Sequence, residues 1–188
     1  MGTGPGLRSG FRWADLHEEL DWLPDGGLNI AHEPVDRHAN GRKRDKLALI
    51  WDGENGEHEE YTFGDLKTLT NRFANVLKSL GIEKGDRVCL YIDRVPELYV
   101  AFVGILKIGA IVVPLSTDVE PELLRERLSH CAAKVVITQP ELRRRMARII
   151  YELFELQHIV VVNKSGRDPW PVDSVDLDYY EEMDKAPD

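Results

Sequence analysis

Cysteine and histidine give this 188-residue chain little scope for disulfide or metal chemistry. The two cysteines are Cys89, inside the apolar run RVCLYI, and Cys131, in SHCAAK. Their number and spacing match neither a disulfide framework nor a zinc site. The six histidines show no HxxxH or HExxH spacing. We therefore predict two buried, unreactive thiols and no bound metal.

Glycine-rich motifs that bind phosphate or present a nucleophile are also missing. The sequence contains no G-x-G-x-x-G, no G-x-x-x-x-G-K-[ST] and no G-x-S-x-G. Dinucleotide-binding, P-loop and hydrolase functions therefore lack their usual sequence support. A phospho-acceptor role for Asp93 is disfavoured, because the segments VVITQP and VVVNKS place no carboxylate at the neighbouring strand ends.

Positive charge is in the minority, with 24 Lys and Arg against 33 Asp and Glu and a formal net charge of -9. A nucleic acid would be repelled over most of such a surface. The basic segment GRKRDK, 41–46, lacks interleaved aromatic residues and is predicted to be a solvated loop. No apolar run approaches the ~20 residues of a membrane span, and the leader MGTGPGLRSG lacks a signal-peptide core. We predict a cytoplasmic protein with a flexible leader, no nucleic-acid partner and no membrane span.

The chain that remains divides into three segments. Residues 1–45 mix Trp, Pro, Gly and charge, which predicts a mostly irregular arm with one short helix at WADLHEEL. The run KLALIWDGENGEHEEYTF predicts a β-hairpin around its Asp-Gly and Asn-Gly turns. Residues 46–163 are predicted to form one α/β unit. Residues 164–188 read as a loop, a last short helix and an incomplete C-terminal end.

Strands and helices alternate through the α/β unit. Thr62 and Asp65 form a capping pattern before a helix that ends at Gly81, and a second, strongly apolar helix runs from Pro96 to Gly109. The apolar strands should be buried on both faces, and their alternation with helices predicts a doubly wound α/β fold. Its sheet should be parallel-rich, with flanking helices, and preceded by the hairpin.

The predicted helix PELRRRMARIIYELF carries the only candidate binding residues. Arg144 and Arg148 are four residues apart and would share one helix flank, which suits a phosphate. The alternative is a solvent-facing flank on which Glu141 pairs with Arg145 and Glu152 with Arg148. The pattern favours the alternative.

Longer segments of the sequence resemble AMP-forming acyl-CoA synthetases of the adenylate-forming superfamily. The resemblance rests on ALIWDGENGE, on YTFGDL, LGIEKGDRV and GAIVVPL, and on LRERLSHCAAKVVIT, and it covers roughly 28–163. NIAHEPVDRH together with ALIWDG is similar to acetyl-CoA synthetase and its short-chain relatives in particular. The resemblance implies that this chain is part of the large N-terminal domain of such an enzyme.

That resemblance also implies a reaction. A small carboxylic acid and Mg-ATP give an acyl-adenylate and pyrophosphate, and the thiol of coenzyme A then displaces AMP. The ATP-binding motifs of the family do not occur in these 188 residues. ATP, Mg²⁺ and coenzyme A would therefore serve the parent enzyme, and this chain alone should bind none of them tightly and should be inactive. Its partner would be the remainder of the synthetase chain.

The coenzyme A motifs of the family match this sequence only in part. Where acetyl-CoA synthetases carry FGGF, this chain has PLSTDV, 114–119, so backbone contacts made through those glycines cannot be transferred. An arginine pair follows the VIT strand in the family and meets the 3′-phosphate. Arg144 matches the first of the pair, while the second falls on Ala147, with Arg148 beside it.

Two functional hypotheses follow from these patterns. The first is the N-terminal part of an acyl-CoA synthetase that lacks the catalytic groups. The second is a free-standing, non-catalytic α/β interaction or regulatory module. Under the first hypothesis, apolar surface should be left exposed on the helix PELYVAFVGILKIG.

Overall fold

The fold was analysed in a computed structural model that describes residues 17, 19–23, 26–170 and 172–188. Most of the short helix predicted at WADLHEEL lies outside these residues. The described part of the arm contains helical structure that the sequence did not predict, a π-helical turn at His32–Asp36 followed by helix α1, Arg37–Ala39. No helix among the described residues is long and apolar enough to cross a membrane.

The predicted hairpin precedes the main sheet. Strand β1, Leu47–Asp52, pairs antiparallel with β2, His58–Thr62, and Gly56 in the connection has a φ of 87°. A positive φ is a conformation that glycine adopts without steric cost, which explains the Asn-Gly signal. The preceding basic segment 41–46 forms exposed turns, as predicted.

Five parallel strands form the main sheet in the order β4-β3-β5-β6-β7. All four strand pairs are parallel, which confirms the predicted α/β class. Parallel neighbours cannot be joined by a tight hairpin and need crossover connections, usually helices. The three middle strands are apolar and almost fully buried. The strands are β3 Arg87–Tyr91, β4 Ile111–Pro114, β5 Val135–Thr138, β6 His158–Val161 and β7 Asp176–Asp178.

Helices cover both faces of this sheet. One apolar cluster packs α2, α3 and α6 against one face, and a second packs α4 and α5 against the other, so the predicted doubly wound arrangement is confirmed. The helices are α2 Phe63–Ser79, α3 Pro96–Lys107, α4 Pro121–His130, α5 Pro140–Met146 and α6 Tyr179–Lys185.

Local signals place the ends of helix α2. The Thr62 and Asp65 side chains each accept from the other residue's backbone N–H, which forms the predicted capping box. At the other end Gly81 has a φ of 75°, and the Ile82 N–H donates to the Leu77 carbonyl at 3.0 Å. This left-handed termination also confirms the prediction.

Three expectations need correction. Helix α5 ends at Met146 rather than near Phe154, because the chain continues in tighter turns, including a 3₁₀ turn at Ile150–Glu152, that keep Ile149, Ile150 and Leu153 buried. Strand β4 is not buried on both faces, because it lies at the edge of the sheet, where Ile111 is 49% exposed. The segment predicted as loop and incomplete end contains β7, which joins the sheet beside β6.

Exposed apolar side chains are only partly where we expected them. On helix α3, Tyr99 and Phe102 are 43% and 39% exposed. Tyr151 and Phe154, beyond α5, are 74% and 94% exposed. The largest uncovered side chains therefore lie on the opposite face of the sheet from α3.

Candidate functional site

The order of the strands places a cleft at the carboxyl edge of the sheet. Strand β4 follows β3 on one side and β5 returns to the other side, so the loops after β3 and β5 diverge between adjacent strands. Open α/β sheets bind ligands at such a switch point. A cleft of about 410 Å³ lies here, and its walls include Asp93, Thr117, Gln139 and Arg144.

A hydrogen bond ties the two diverging loops together. The Asp93 backbone N–H, just after β3, donates to Gln139 Oε1, just after β5, at 3.0 Å. The Asp93 carboxylate is on an exposed residue. Among the residues that the structure describes, no group of three or more His, Cys, Asp or Glu side chains could hold a metal ion.

Three consecutive arginines in the last turn of α5 have three different environments. Arg143 is 1% exposed and forms a bidentate ion pair with Asp176 of β7, at 2.6 and 2.8 Å. Arg145 donates to the Thr117 and Val119 carbonyls, at 2.6 and 2.7 Å. Arg144 is exposed, lines the cleft and donates one hydrogen bond to the Pro169 carbonyl. Of the three, Arg144 is the one that is exposed in the wall of the cleft.

Arg145 has a role that the sequence did not reveal. Its two hydrogen bonds hold the loop after β4, the segment PLSTDV that contains no glycine. The Tyr91 hydroxyl of β3 lies 3.4 Å from the Thr117 carbonyl of the same loop, and burial raises the pKa of Tyr91. Side chains thus fix the backbone of this wall. No local sequence signal could have shown it, because the partners are carbonyl groups more than 25 residues away in the chain.

The ion pairs predicted for the α5 flank do not form. Arg145 bonds to the two carbonyls instead of to Glu141, and Glu152 Oε2 lies 3.4 Å from Arg125 Nε of α4. Arg148 is exposed, lies beyond the end of α5 at Met146 and is not part of the cleft wall. The structure therefore does not place Arg144 and Arg148 on one continuous helix flank.

A second opening adjoins Arg144 on its outer side. It has a volume of about 680 Å³ and is lined by Arg144, Asp168, Pro169 and Trp170. The Trp170 indole Nε1 is buried and has no hydrogen-bond partner among the described residues. A guanidinium group beside a proline and an aromatic ring can hold a phosphate next to a planar base. The opening also contains a negative charge, the Asp168 carboxylate, which accepts a hydrogen bond from the Ser165 hydroxyl at 2.8 Å.

Known protein families, sequences and structures that are similar to this chain support the architecture described above. A family model for AMP-binding enzymes matches residues 35–187. Acetyl-coenzyme A synthetase of Bacillus subtilis (strain 168) is 41% identical over 81% of this chain, and that of Phycomyces blakesleeanus is 36% identical over 89%. The crystal structure of Brucella canis acyl-CoA synthetase superposes with a TM-score of 0.82 at 28% identity, covering 95% of this chain and 31% of that chain.

These matches cover most of this chain but only a small part of each relative. The chain spans about a quarter of the length of the curated relatives, 26% of the Bacillus subtilis protein and 27% of the Phycomyces blakesleeanus protein. The family model nevertheless covers most of the chain, from the arm through β7 and into α6. The resemblance inferred from the sequence motifs is therefore confirmed, and the chain belongs to the AMP-binding enzyme family.

Proposed function

We propose that this chain is part of an AMP-forming acyl-CoA synthetase that acts on acetate or another short-chain carboxylic acid. The observation that carries the proposal is the 41% identity to an acetyl-coenzyme A synthetase over 81% of this chain. The whole enzyme would convert the acid, ATP and coenzyme A to acyl-CoA, AMP and pyrophosphate in the cytoplasm. The partner of the chain is then the rest of the synthetase polypeptide.

Within that enzyme, the described residues fit coenzyme A better than they fit Mg-ATP. Arg144 is exposed and donates one hydrogen bond among the described residues, to the Pro169 carbonyl, so it has donors left for a phosphate. The described residues contain no acidic cluster for Mg²⁺, and the sequence has no glycine-rich loop ending in lysine. When bound, coenzyme A would supply the thiol that accepts the acyl group. We assign no residue of this chain to ATP or Mg²⁺.

Arg144 would bind and orient the phosphate of coenzyme A, with Pro169 and Trp170 beside the nucleotide. Arg145 would act as a positioning residue, since it holds the loop after β4 that forms the opposite wall of the cleft. Arg148 would contribute at most a second, more distant charge, because it does not line the cleft. None of these three arginines would remove or donate a proton in the reaction.

Calorimetric titration tests the coenzyme A assignment. The 188-residue chain is titrated with coenzyme A and with dephospho-coenzyme A, which lacks the 3′-phosphate. Arg144→Ala should weaken coenzyme A binding roughly tenfold or more and leave dephospho-coenzyme A binding unchanged. Arg127→Ala, on the exposed side of α4, is the matched control. Equal losses for both ligands would remove the phosphate from this site.

Pyrophosphate exchange into ATP tests the wider proposal. With acetate, propionate or butyrate, the 188-residue chain alone should show no exchange, because removing even one transition-state donor typically costs about 2.7 to 4 kcal/mol. Exchange that copurifies with the folded chain, and disappears on unfolding, would mean that catalytic groups are present among these residues.

A further inference from the structure

The fold brings the two cysteines together. Cys89 lies in the middle of the interior strand β3 and is fully buried, and Cys131 follows the last residue of α4. Their Sγ atoms are 3.6 Å apart, although the residues are 42 positions apart in the chain. Both are free thiols, and the expectation that both are buried needs correction, because Cys131 is only half-buried.

Neighbouring groups hold Cys131 in this position. Arg87 Nε donates to the Cys131 carbonyl and Arg87 Nη2 to the Ala132 carbonyl, each at 2.6 Å. Ala132 has a φ of 49°, a left-handed conformation that a non-glycine residue keeps only when its surroundings fix it. The turn that carries Cys131 is thus tied to the first residue of β3, two positions before Cys89.

The two thiols differ in access to solvent. Cys131 is half-buried, while Cys89 has no exposed surface. Burial, with the neighbouring Cys131 as a smaller cause, raises the pKa of the Cys89 thiol, so at neutral pH it carries little of the reactive thiolate. A small oxidant in solution therefore meets Cys131 first.

We propose that Cys89 and Cys131 form a reversible disulfide when the protein meets a hydroperoxide. The Cys131 sulfur attacks the peroxide oxygen, which gives a sulfenic acid and releases water or an alcohol. The Cys89 sulfur then attacks the Cys131 sulfur and displaces the hydroxyl, which leaves as water with the Cys89 proton. The protein loses two electrons and two protons in total, and the peroxide is reduced. A dithiol reductant returns both thiols.

The required movement is small. An S–S bond is about 2.0 Å long, so the sulfurs must approach by roughly 1.5 Å from their present separation. The bond would cross-link the end of α4 to strand β3 of the sheet. It would form near the amino ends of the strands, since Cys131 precedes β5, whereas the Arg144 cleft lies at the carboxyl ends. The modification is therefore separate from the proposed coenzyme A contact.

The test compares folded and urea-unfolded protein treated with hydrogen peroxide, then alkylated and analysed by peptide mass spectrometry. The folded chain should convert the Cys131 sulfenic acid to the Cys89–Cys131 disulfide at least roughly tenfold faster than the unfolded chain, because packing raises the effective concentration of Cys89 near Cys131. Dithiothreitol should reverse the product. Equal rates in both states, or disulfides only between separate chains, would overturn the proposal.

Two single variants test the order of the steps. In Cys89→Ala, a dimedone reagent should trap Cys131 as the sulfenic acid, because no resolving thiol remains. In Cys131→Ala, Cys89 should stay reduced under the same treatment. Oxidation of Cys89 at the wild-type rate in Cys131→Ala would show that the buried thiol reacts directly and would overturn the assigned order.

Discussion

Two buried ion pairs attach the terminal segments to the central layer, and they are built differently. In the arm pair, Asp36 and Lys107, the lysine Nζ lies 2.6 Å from Asp36 Oδ1 and 2.6 Å from Asn71 Oδ1. In the strand pair, Arg143 and Asp176, the contact is bidentate. The arm pair retains 9% and 17% side-chain exposure, whereas both members of the strand pair are 1% exposed.

The difference lies in what each cation can do without its partner. Desolvation lowers the pKa of Lys107 despite the nearby Asp36, so this side chain is already shifted toward its neutral form. Arginine cannot lose its proton in a protein. Arg143 also has its Nη1 buried without a hydrogen-bond partner among the described residues. If Asp176 is removed, the Arg143 guanidinium therefore remains charged and buried.

The largest effect is expected at the strand pair. Asp176→Ala should lower the free energy of unfolding by about 3 to 5 kcal/mol, because it leaves a buried guanidinium without its counter-charge. Urea denaturation followed by circular dichroism measures the loss, with Asp184→Ala, an exposed carboxylate on α6, as the control. A loss below about 1 kcal/mol would mean that Arg143 finds another partner or reaches solvent.

A smaller effect is expected at the arm pair. Asp36→Ala should cost about 1.5 to 3 kcal/mol, since Lys107 keeps Asn71 and can lose its proton. Asp45→Ala, an exposed residue before the hairpin, is the matched control. If Asp36→Ala costs as much as Asp176→Ala, the contrast between the two pairs is wrong.

The pH dependence of that variant sharpens the comparison. Removing Asp36 lowers the pKa of Lys107 further below its unfolded value of 10.5, so the unfolded chain binds more protons than the folded chain between these two pKa values. Stability contributed by Lys107 therefore rises as the pH rises through this window. The deficit of Asp36→Ala relative to wild type should shrink in the same range. Denaturation at neutral and alkaline pH would show it, and a constant deficit would contradict it.

The close packing of α2 against α3 near the arm pair can also be tested by substitution. Gly104 lies one turn before Lys107, and a Cβ at this position would be 2.9 Å from Phe73 Cδ1 and 3.2 Å from the Thr70 carbonyl oxygen. Gly104→Ala should push α2 and α3 apart and cost about 1 to 3 kcal/mol. Gly41→Ala, where the added Cβ would meet only ordinary contacts, should change thermal stability much less.

The smallest effect concerns two histidines in different parts of the molecule. Hydrogen bonds to Asp52 and then Glu60 raise the pKa of His58 on the hairpin, while burial lowers the pKa of His158 in β6. The His58 contribution to stability is complete below pH 6.5 and is lost as the pH rises through its folded pKa. The His158 contribution is complete above pH 6.5 and is lost as the pH falls toward its lowered pKa. NMR titration of the ring protons should place the two values on opposite sides of 6.5, and Asp52→Asn should bring His58 closer to it.

Local signals predicted much of the fold and little of the site. The caps of α2, the Asn-Gly turn and the apolar strands follow from neighbouring residues and appear as expected. Strand β7 was missed because it is only three residues long and two of them, Asp176 and Asp178, are acidic; it depends on the Arg143–Asp176 ion pair and on pairing with β6. The role of Arg144 stays a prediction, although the residue does line the cleft, and the hydrogen bonds of Arg145 and the Cys89–Cys131 contact join distant parts of the chain. Neither the periodicity of apolar residues nor a helix-capping pattern predicts contacts between residues so far apart in the chain.

The strand order also determines how the sheet can assemble during synthesis. Strand β3 emerges first, β4 adds to one of its edges, and β5, β6 and β7 then add in turn to the other. No strand has to enter between two strands that are already paired. Because domains fold from the N-terminal side as the ribosome proceeds, each new strand meets an open edge as soon as it leaves the tunnel. The edge of β3 that pairs with β5 stays unpaired until Val135 is synthesised and can pair with Val88. An unpaired strand edge promotes aggregation, so the nascent chain needs protection most during this interval.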